Sequence, residues 1–211
     1  MIRRSLAATA AAAAVALAAA MPASAQDAPY HIRGTLKAVE GANLTIAAAD
    51  GMSKSVALND DAGVFVVDNA TIDDIKRGQF VGITSIYSQG QAMALEVHIF
   101  EEALRGLAEG HYPWDLVDQP NMMTNAGVAK LVDAGDGHKL TVTYVEGDAT
   151  MRNVGTQEIV VPPSAKVVNF FAADRSALKP GEQVFLLAVD TDSGIISPAI
   201  VVGRNGVEPP M

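Results

Sequence analysis

The chain has 211 residues, no cysteine, 5% aromatic residues and a net charge of −9. Without cysteine there are no disulfides, thiolate zinc sites, thiol nucleophiles or lipid-anchored cysteine, so the fold rests on burial alone. The acidic balance and the few aromatic side chains oppose nucleic-acid binding, which draws on clustered Lys and Arg and on stacking platforms.

In chain order, Arg3-Arg4, an apolar run from Leu6 to Ala20 and the small-residue site Ala23-Ser24-Ala25 read as a cleavable signal peptide over 1–25. The run is shorter than the roughly 20 apolar residues of a membrane span, and nothing later resembles a membrane helix. The mature chain is therefore expected to begin near Gln26 and to be soluble in the periplasm, with no membrane span. Loss of Arg3 and Arg4 leaves 13 basic against 24 acidic residues, a net charge of −11.

From there the chain repeats itself. Gly34-Thr35-Leu36-Lys37-Ala38-Val39-Glu40 is matched by Gly127-Val128-Ala129-Lys130-Leu131-Val132-Asp133, Leu44-Thr45-Ile46 by Leu140-Thr141-Val142, and Ile75-Lys76-Arg77-Gly78 by Leu178-Lys179-Pro180-Gly181. The growing offset places extra residues around Glu146 to Pro163, where they are expected to enlarge a hairpin. In the first copy, β patterns at Ile32 to Val39, Leu44 to Ala48 and Ser53 to Leu58 are separated by turn chemistry. A short apolar segment Val64 to Val67, one helical turn within Asn69 to Ile75, and strands Phe80 to Tyr87 and Ala92 to Phe100 follow. In the last strand Met93, Leu95, Val97 and Ile99 alternate onto one face. The second copy has the same order: Gly127 to Val132, Leu140 to Val145, Asn153 to Val161, Lys166 to Phe171, a turn near Ser176, Gln183 to Val189 and Ile195 to Val202.

Three strands, a helical turn and two strands predict an all-β protein of two tandem OB-fold-like five-stranded small barrels, with a β-sandwich as the alternative. The domain division is a first barrel over 26–100, a connector over 101–125 and a second barrel over 126–211. The motifs Arg33-Gly34-Thr35-Leu36, Asn43-Leu44-Thr45-Ile46 and Ile75-Lys76-Arg77-Gly78-Gln79-Phe80-Val81 resemble a bacterial family of exported repeat domains of unknown function. The second copy departs from that pattern with Asn125-Ala126-Gly127-Val128, so a role for Arg33 belongs to one copy only. The connector, with Leu104-Arg105-Gly106, Gly110-His111-Tyr112-Pro113-Trp114-Asp115 and Met123-Thr124-Asn125, resembles a set of similar exported proteins. Neither resemblance implies an activity.

The connector gathers the only tryptophan, a histidine, an arginine and five carboxylates. Arg105, His111, Trp114 and Asp115 are the candidate ligand-binding residues, lining a cleft between barrels with polar loop groups beside an aromatic wall. The competing reading packs Trp114, Tyr112 and Leu116 as a plug between the barrels. The histidines, His31, His98, His111 and His138, include no pair at i, i+2 or i, i+4, so no metal or cofactor is expected, although His31 and His98 are placed to approach each other if the first and last strands of copy one pair. Met122-Met123 reads as core filler, and Asn59-Asp60-Asp61 and Asp133 to Asp136 read as solvated turns. With no G-x-S-x-G, H-E-x-x-H or phosphate loop, no catalytic residue is assigned. The leading function is a soluble periplasmic binding or interaction protein whose partner is a small molecule, peptide or envelope protein. Metal handling by His98, His111 and nearby acids, or a hydrolase with an unrecognised site, are the alternatives.

Overall fold

A computed structural model describes residues 29–147 and 151–211. The expected signal peptide lies outside the described residues. Twelve strands form the described fold: β1 (Tyr30–Glu40), β2 (Asn43–Ala48), β3 (Ser53–Asn69), β4 (Phe80–Ser88), β5 (Gln91–Phe100), β6 (Gly110–Trp114), β7 (Asn121–Ala134), β8 (Gly137–Gly147), β9 (Arg152–Val161), β10 (Lys166–Ala173), β11 (Gln183–Thr191) and β12 (Gly194–Gly203). The only helical elements described are single 3-10 turns, one of them at Ile72–Asp74 where the sequence places it. No helix among the described residues is long and apolar enough to cross a membrane.

The protein is all-β and built on small closed barrels, but the barrels do not follow the chain's halves. In the first, β1 pairs with β2 and β11, β2 with β3, and β12 closes the ring by pairing with both β11 and β3. In the second, β4 joins β5 to β7, β7 runs to β8 and β8 to β9, and β9 meets β5 through the parallel pair Ala92 with Ile159 and Met93 with Val160. Each ring therefore takes a three-strand meander from one half of the chain and the final hairpin from the other. This corrects the boundaries 26–100 and 126–211, which assign β4 and β5 to the first barrel and β11 and β12 to the second. The order within each ring, with the third strand parallel to the last, is that of an OB-like barrel.

The exchange has a visible clasp. Gly78 N–H donates to the carbonyl of Val128 at 2.8 Å, and Gly181 N–H donates to that of Leu36, also at 2.8 Å. The paired Lys-x-Gly motifs thus each bind the meander of the opposite half. Both glycines sit at positive φ, +90° and +98°, where an L side chain is strained. Registers agree between the halves, although the first strands correspond one residue away from the Gly34–Gly127 match of the sequence: Leu36 pairs with Ile46 as Val128 pairs with Val142, and Leu44 pairs with Val56 as Leu140 pairs with Ile159.

Two local departures from the expected elements have clear causes. Val64 to Val67 is not separate: β3 runs continuously through Asn59-Asp60-Asp61, which bulges between Leu58, opposite Ser197, and Gly63, opposite Ala199. At the equivalent place in the second half, Pro162-Pro163 cannot donate to a ladder, and the strand breaks into β9 and β10. In β5, a register shift opposite Thr84 and Ser85 moves the alternation, so Ala94 rather than Met93 or Leu95 joins Val97 and Ile99 in the core. The extra residues do lengthen the β8–β9 hairpin, from Gly137–Gly147 to Arg152–Val161.

Each barrel buries its own aliphatic core, Leu36, Leu44, Ile46, Leu186 and Ile200 in one and Leu140, Val142, Ile83, Val97 and Ile159 in the other. A third cluster, with Phe80, Phe100, Phe170, Phe185 and Met211, joins the barrels. Strand β10 bridges them directly, antiparallel to β3 and parallel to β5.

Candidate functional site

The connector is not an irregular linker. Gly110–Trp114 pairs antiparallel with Asn121–Asn125, so residues 121–125 belong to β7 and the segment forms a hairpin on the second barrel. Asn121 holds its loop: the side-chain amide donates to the carbonyls of Val117 (2.9 Å) and Gln119 (2.8 Å), and its oxygen accepts from the Leu116 N–H (3.2 Å). This hairpin carries Trp114 across to the first barrel. There the indole meets His31 of β1, ring centroids 4.2 Å apart, and Phe185 of β11 at 6.0 Å.

The four residues expected to form one site separate. Trp114 lines the cavity between the barrels. Asp115 lies beside it, accepting from Arg33 Nη2 and in contact with His31 Nδ1, both at 2.7 Å. Burial pushes the Asp115 carboxyl up, but the hydrogen bonds from Arg33 and His31 outweigh it and hold the group below its ordinary value. Arg105 is turned elsewhere: it pairs with Glu102, donates to the Gly78 carbonyl at 2.7 Å and lies over the Phe80 ring. It fastens the clasp at Gly78. His111 bonds Thr124 Oγ1 at 2.8 Å and stacks on Tyr144, and burial lowers its pKa against the opposing pull of Glu146. These are structural contacts on the second barrel, and they correct the expectation that Arg105 and His111 line the cleft.

The cavity itself has a volume of about 410 Å³. Four of the six phenylalanines line it (Phe65, Phe100, Phe170 and Phe185), with the only tryptophan. Phe170 packs between Phe65 (5.1 Å) and Phe100 (4.9 Å) to make one wall. Trp114, His31 and Phe185 make the opposite one. His31 and His98 do come to a common place, though not by strand pairing within one half: β1 pairs with β2 and β11, and the two histidines meet as lining residues of this cavity.

At its floor lies a polar chain that the motif reading passed over. Glu96 is 1% exposed, and its Oε1 accepts from the Thr84 backbone N–H (3.1 Å) and hydroxyl (2.6 Å). Its Oε2 faces His98 Nδ1 at 3.1 Å, and the imidazole stands edge-on to Phe100. Beside it Asn125 uses its amide nitrogen on the Leu107 carbonyl (3.2 Å) and Tyr112 hydroxyl (3.3 Å), while its buried Oδ1 has no hydrogen-bond partner. Gly82 makes room for both groups, since a Cβ there would stand 1.8 Å from His98 Nε2 and 2.5 Å from Asn125 Oδ1. The signal in the sequence was Glu96-Val97-His98, two polar side chains two apart in the otherwise apolar run Ala92 to Phe100.

Among the described residues, no group of three or more His, Asp or Glu side chains is gathered to hold a metal ion. His98 and His111, named together for metal handling, engage different partners, Glu96 and Thr124. Comparison with family models, curated proteins and solved structures finds no match to this chain.

Proposed function

We propose that this chain is an exported binding protein that holds a small, predominantly apolar molecule in the cavity between its two barrels. The observation that carries the reading is the convergence of Phe65, Phe100, Phe170, Phe185 and Trp114, from strands of both halves, around one space of about 410 Å³. Small-molecule sites are concave, mostly apolar and provided with a few placed polar groups. A junction with a purely structural role packs to the density of a protein interior, because ring faces without neighbours forfeit dispersion contacts. A second groove, near Asp174, Ser176 and Lys179, is walled largely by exposed residues and brings no aromatic side chain to its lining. Export to the periplasm rests on the leader pattern ahead of Gln26.

Trp114 reports on the site. Titrating the mature protein with p-xylene is expected to change the tryptophan fluorescence saturably. Ala199→Phe, which places a ring in the cavity, should abolish that change while leaving the circular dichroism spectrum intact. No saturable change in the wild type, or the same change in the filled variant, overturns the proposal.

A further inference from the structure

The polar floor of the cavity is not required by the fold, and the protein itself contains the control. By strand register, Thr84 opposite Glu96 and Gly82 opposite His98 in the second barrel correspond to Leu187 opposite Ala199 and Phe185 opposite Val201 in the first. On the neighbouring strand, Asn125 opposite Gly82 corresponds to Arg33 opposite Phe185. An OB-like barrel thus closes with Leu187, Ala199 and Val201 where its counterpart carries Thr84, Glu96 and His98. Burying a carboxylate and an imidazole is unfavourable unless they are paired. The second barrel carries both where aliphatic side chains suffice.

The chain of hydrogen bonds sets what the floor offers. Glu96 Oε1 takes both donors of Thr84, which leaves Oε2 to accept the Nδ1 proton of His98. A neutral imidazole that donates from Nδ1 presents a bare lone pair at Nε2. Asn125 Oδ1, buried and unpartnered, is a second acceptor over the same glycine. Two acceptors over one glycine favour a ligand that brings an O–H or N–H and disfavour a carboxylate, and the unpartnered Trp114 Nε1–H is the one buried donor left free among the described lining residues. Resting on the binding function proposed above, we infer that the ligand class is a neutral aromatic molecule bearing a hydrogen-bond donor, of the phenol type, whose ring lies among Phe100, Phe170 and Trp114 and whose donor meets His98 Nε2 and Asn125 Oδ1.

Three probes of one shape separate the possibilities: p-cresol, p-xylene and p-toluate, measured by equilibrium dialysis against the mature protein. Cresol should bind about tenfold more tightly than xylene, the worth of one well-made hydrogen bond, and toluate more weakly than either. Equal affinity for cresol and xylene, or a preference for toluate, overturns the phenol inference while leaving the apolar cavity as a binding site. If none of the three binds, both proposals fail. Glu96→Gln is the sharper variant. With Thr84 still donating to the side-chain oxygen, the introduced amide must donate to His98 Nδ1 and move the ring proton to Nε2. Cresol should then lose its advantage over xylene, with xylene affinity unchanged. An unaltered cresol preference in a folded Glu96→Gln protein contradicts the inference. Should that variant not fold, the imidazole ¹⁵N spectrum of the wild type decides the same point: a protonated Nε2 on His98 overturns it.

Discussion

The interiors of the two barrels and the faces they turn toward each other follow different rules. Inside, aliphatic answers aliphatic: Leu36 and Val128, Val56 and Ile159, Leu186 and Ile83, Ile200 and Val97 hold corresponding places in register, all buried. At the junction the correspondence of chemistry stops, with Phe185 against Gly82, Val201 against His98 and Arg33 against Asn125. A barrel core asks only for branched apolar volume, so the two interiors converge on the same solution. Where they differ, closure of the barrel does not demand the difference, and there the proposed site lies.

That comparison breaks most visibly at Glu96. Glu96→Ala should destabilise the protein by about 3 kcal/mol, because it leaves His98 and Thr84 buried without their acceptor. Importing the first barrel's residues on the β4–β5 hairpin (Thr84→Leu, Glu96→Ala, His98→Val and Gly82→Phe) should lose less than that single change in urea denaturation. A quadruple variant clearly less stable than Glu96→Ala would mean that the polar chain serves folding.

Gly82 gives the next effect. Its methyl group in Gly82→Ala would collide with His98 Nε2, and the overpacking should lower stability by about 2 kcal/mol and reduce probe binding as the imidazole is displaced. A loss below about 0.5 kcal/mol would show that His98 has room to move.

The clasp should behave symmetrically. Gly78→Ala and Gly181→Ala have open space for the new methyl and suffer only from positive φ, so each should cost about 1 kcal/mol. Thermal melts showing one of them neutral and the other strongly damaging would deny the equivalence of the two exchanges.

The smallest effect belongs to Asp115. Its folded pKa lies below the unfolded value, so its contribution is present above ordinary carboxylate pH and is lost as pH falls through the folded pKa. Half-exposed, the group contributes less than about 1 kcal/mol. Wild type should exceed Asp115→Asn in stability at pH 6, and the gap should close on acidification below about pH 4. A gap that widens on acidification reverses the sign and refutes the pairing with Arg33 and His31.

Strands were readable because period-two patterns and turn residues are local; the spans depart most at β3, at β6 and at β7, which begins six residues before the expected Gly127. Which strand closes which ring was not readable: β4 and β11 carry equally suitable faces, and choosing between them depends on the reach of the segments around β10 and the clasp. The same exchange explains the partial success at the site. Trp114 was visible as an unusual residue in an unusual segment, whereas Arg105 and His111 shared that segment without sharing its destination. Glu96, His98 and Asn125 come from strands that meet only across β4, a neighbourhood set by pairing rather than by sequence.

The most direct test is the position of a bound probe. With ¹³C-labelled protein and p-cresol, the methyl and ring protons of the ligand should show intermolecular NOEs both to Phe185 of the first barrel and to Phe100 and His98 of the second, with Trp114 among them. NOEs confined to one barrel, or to the groove at Ala177 and Lys179, would contradict a ligand site built between the two.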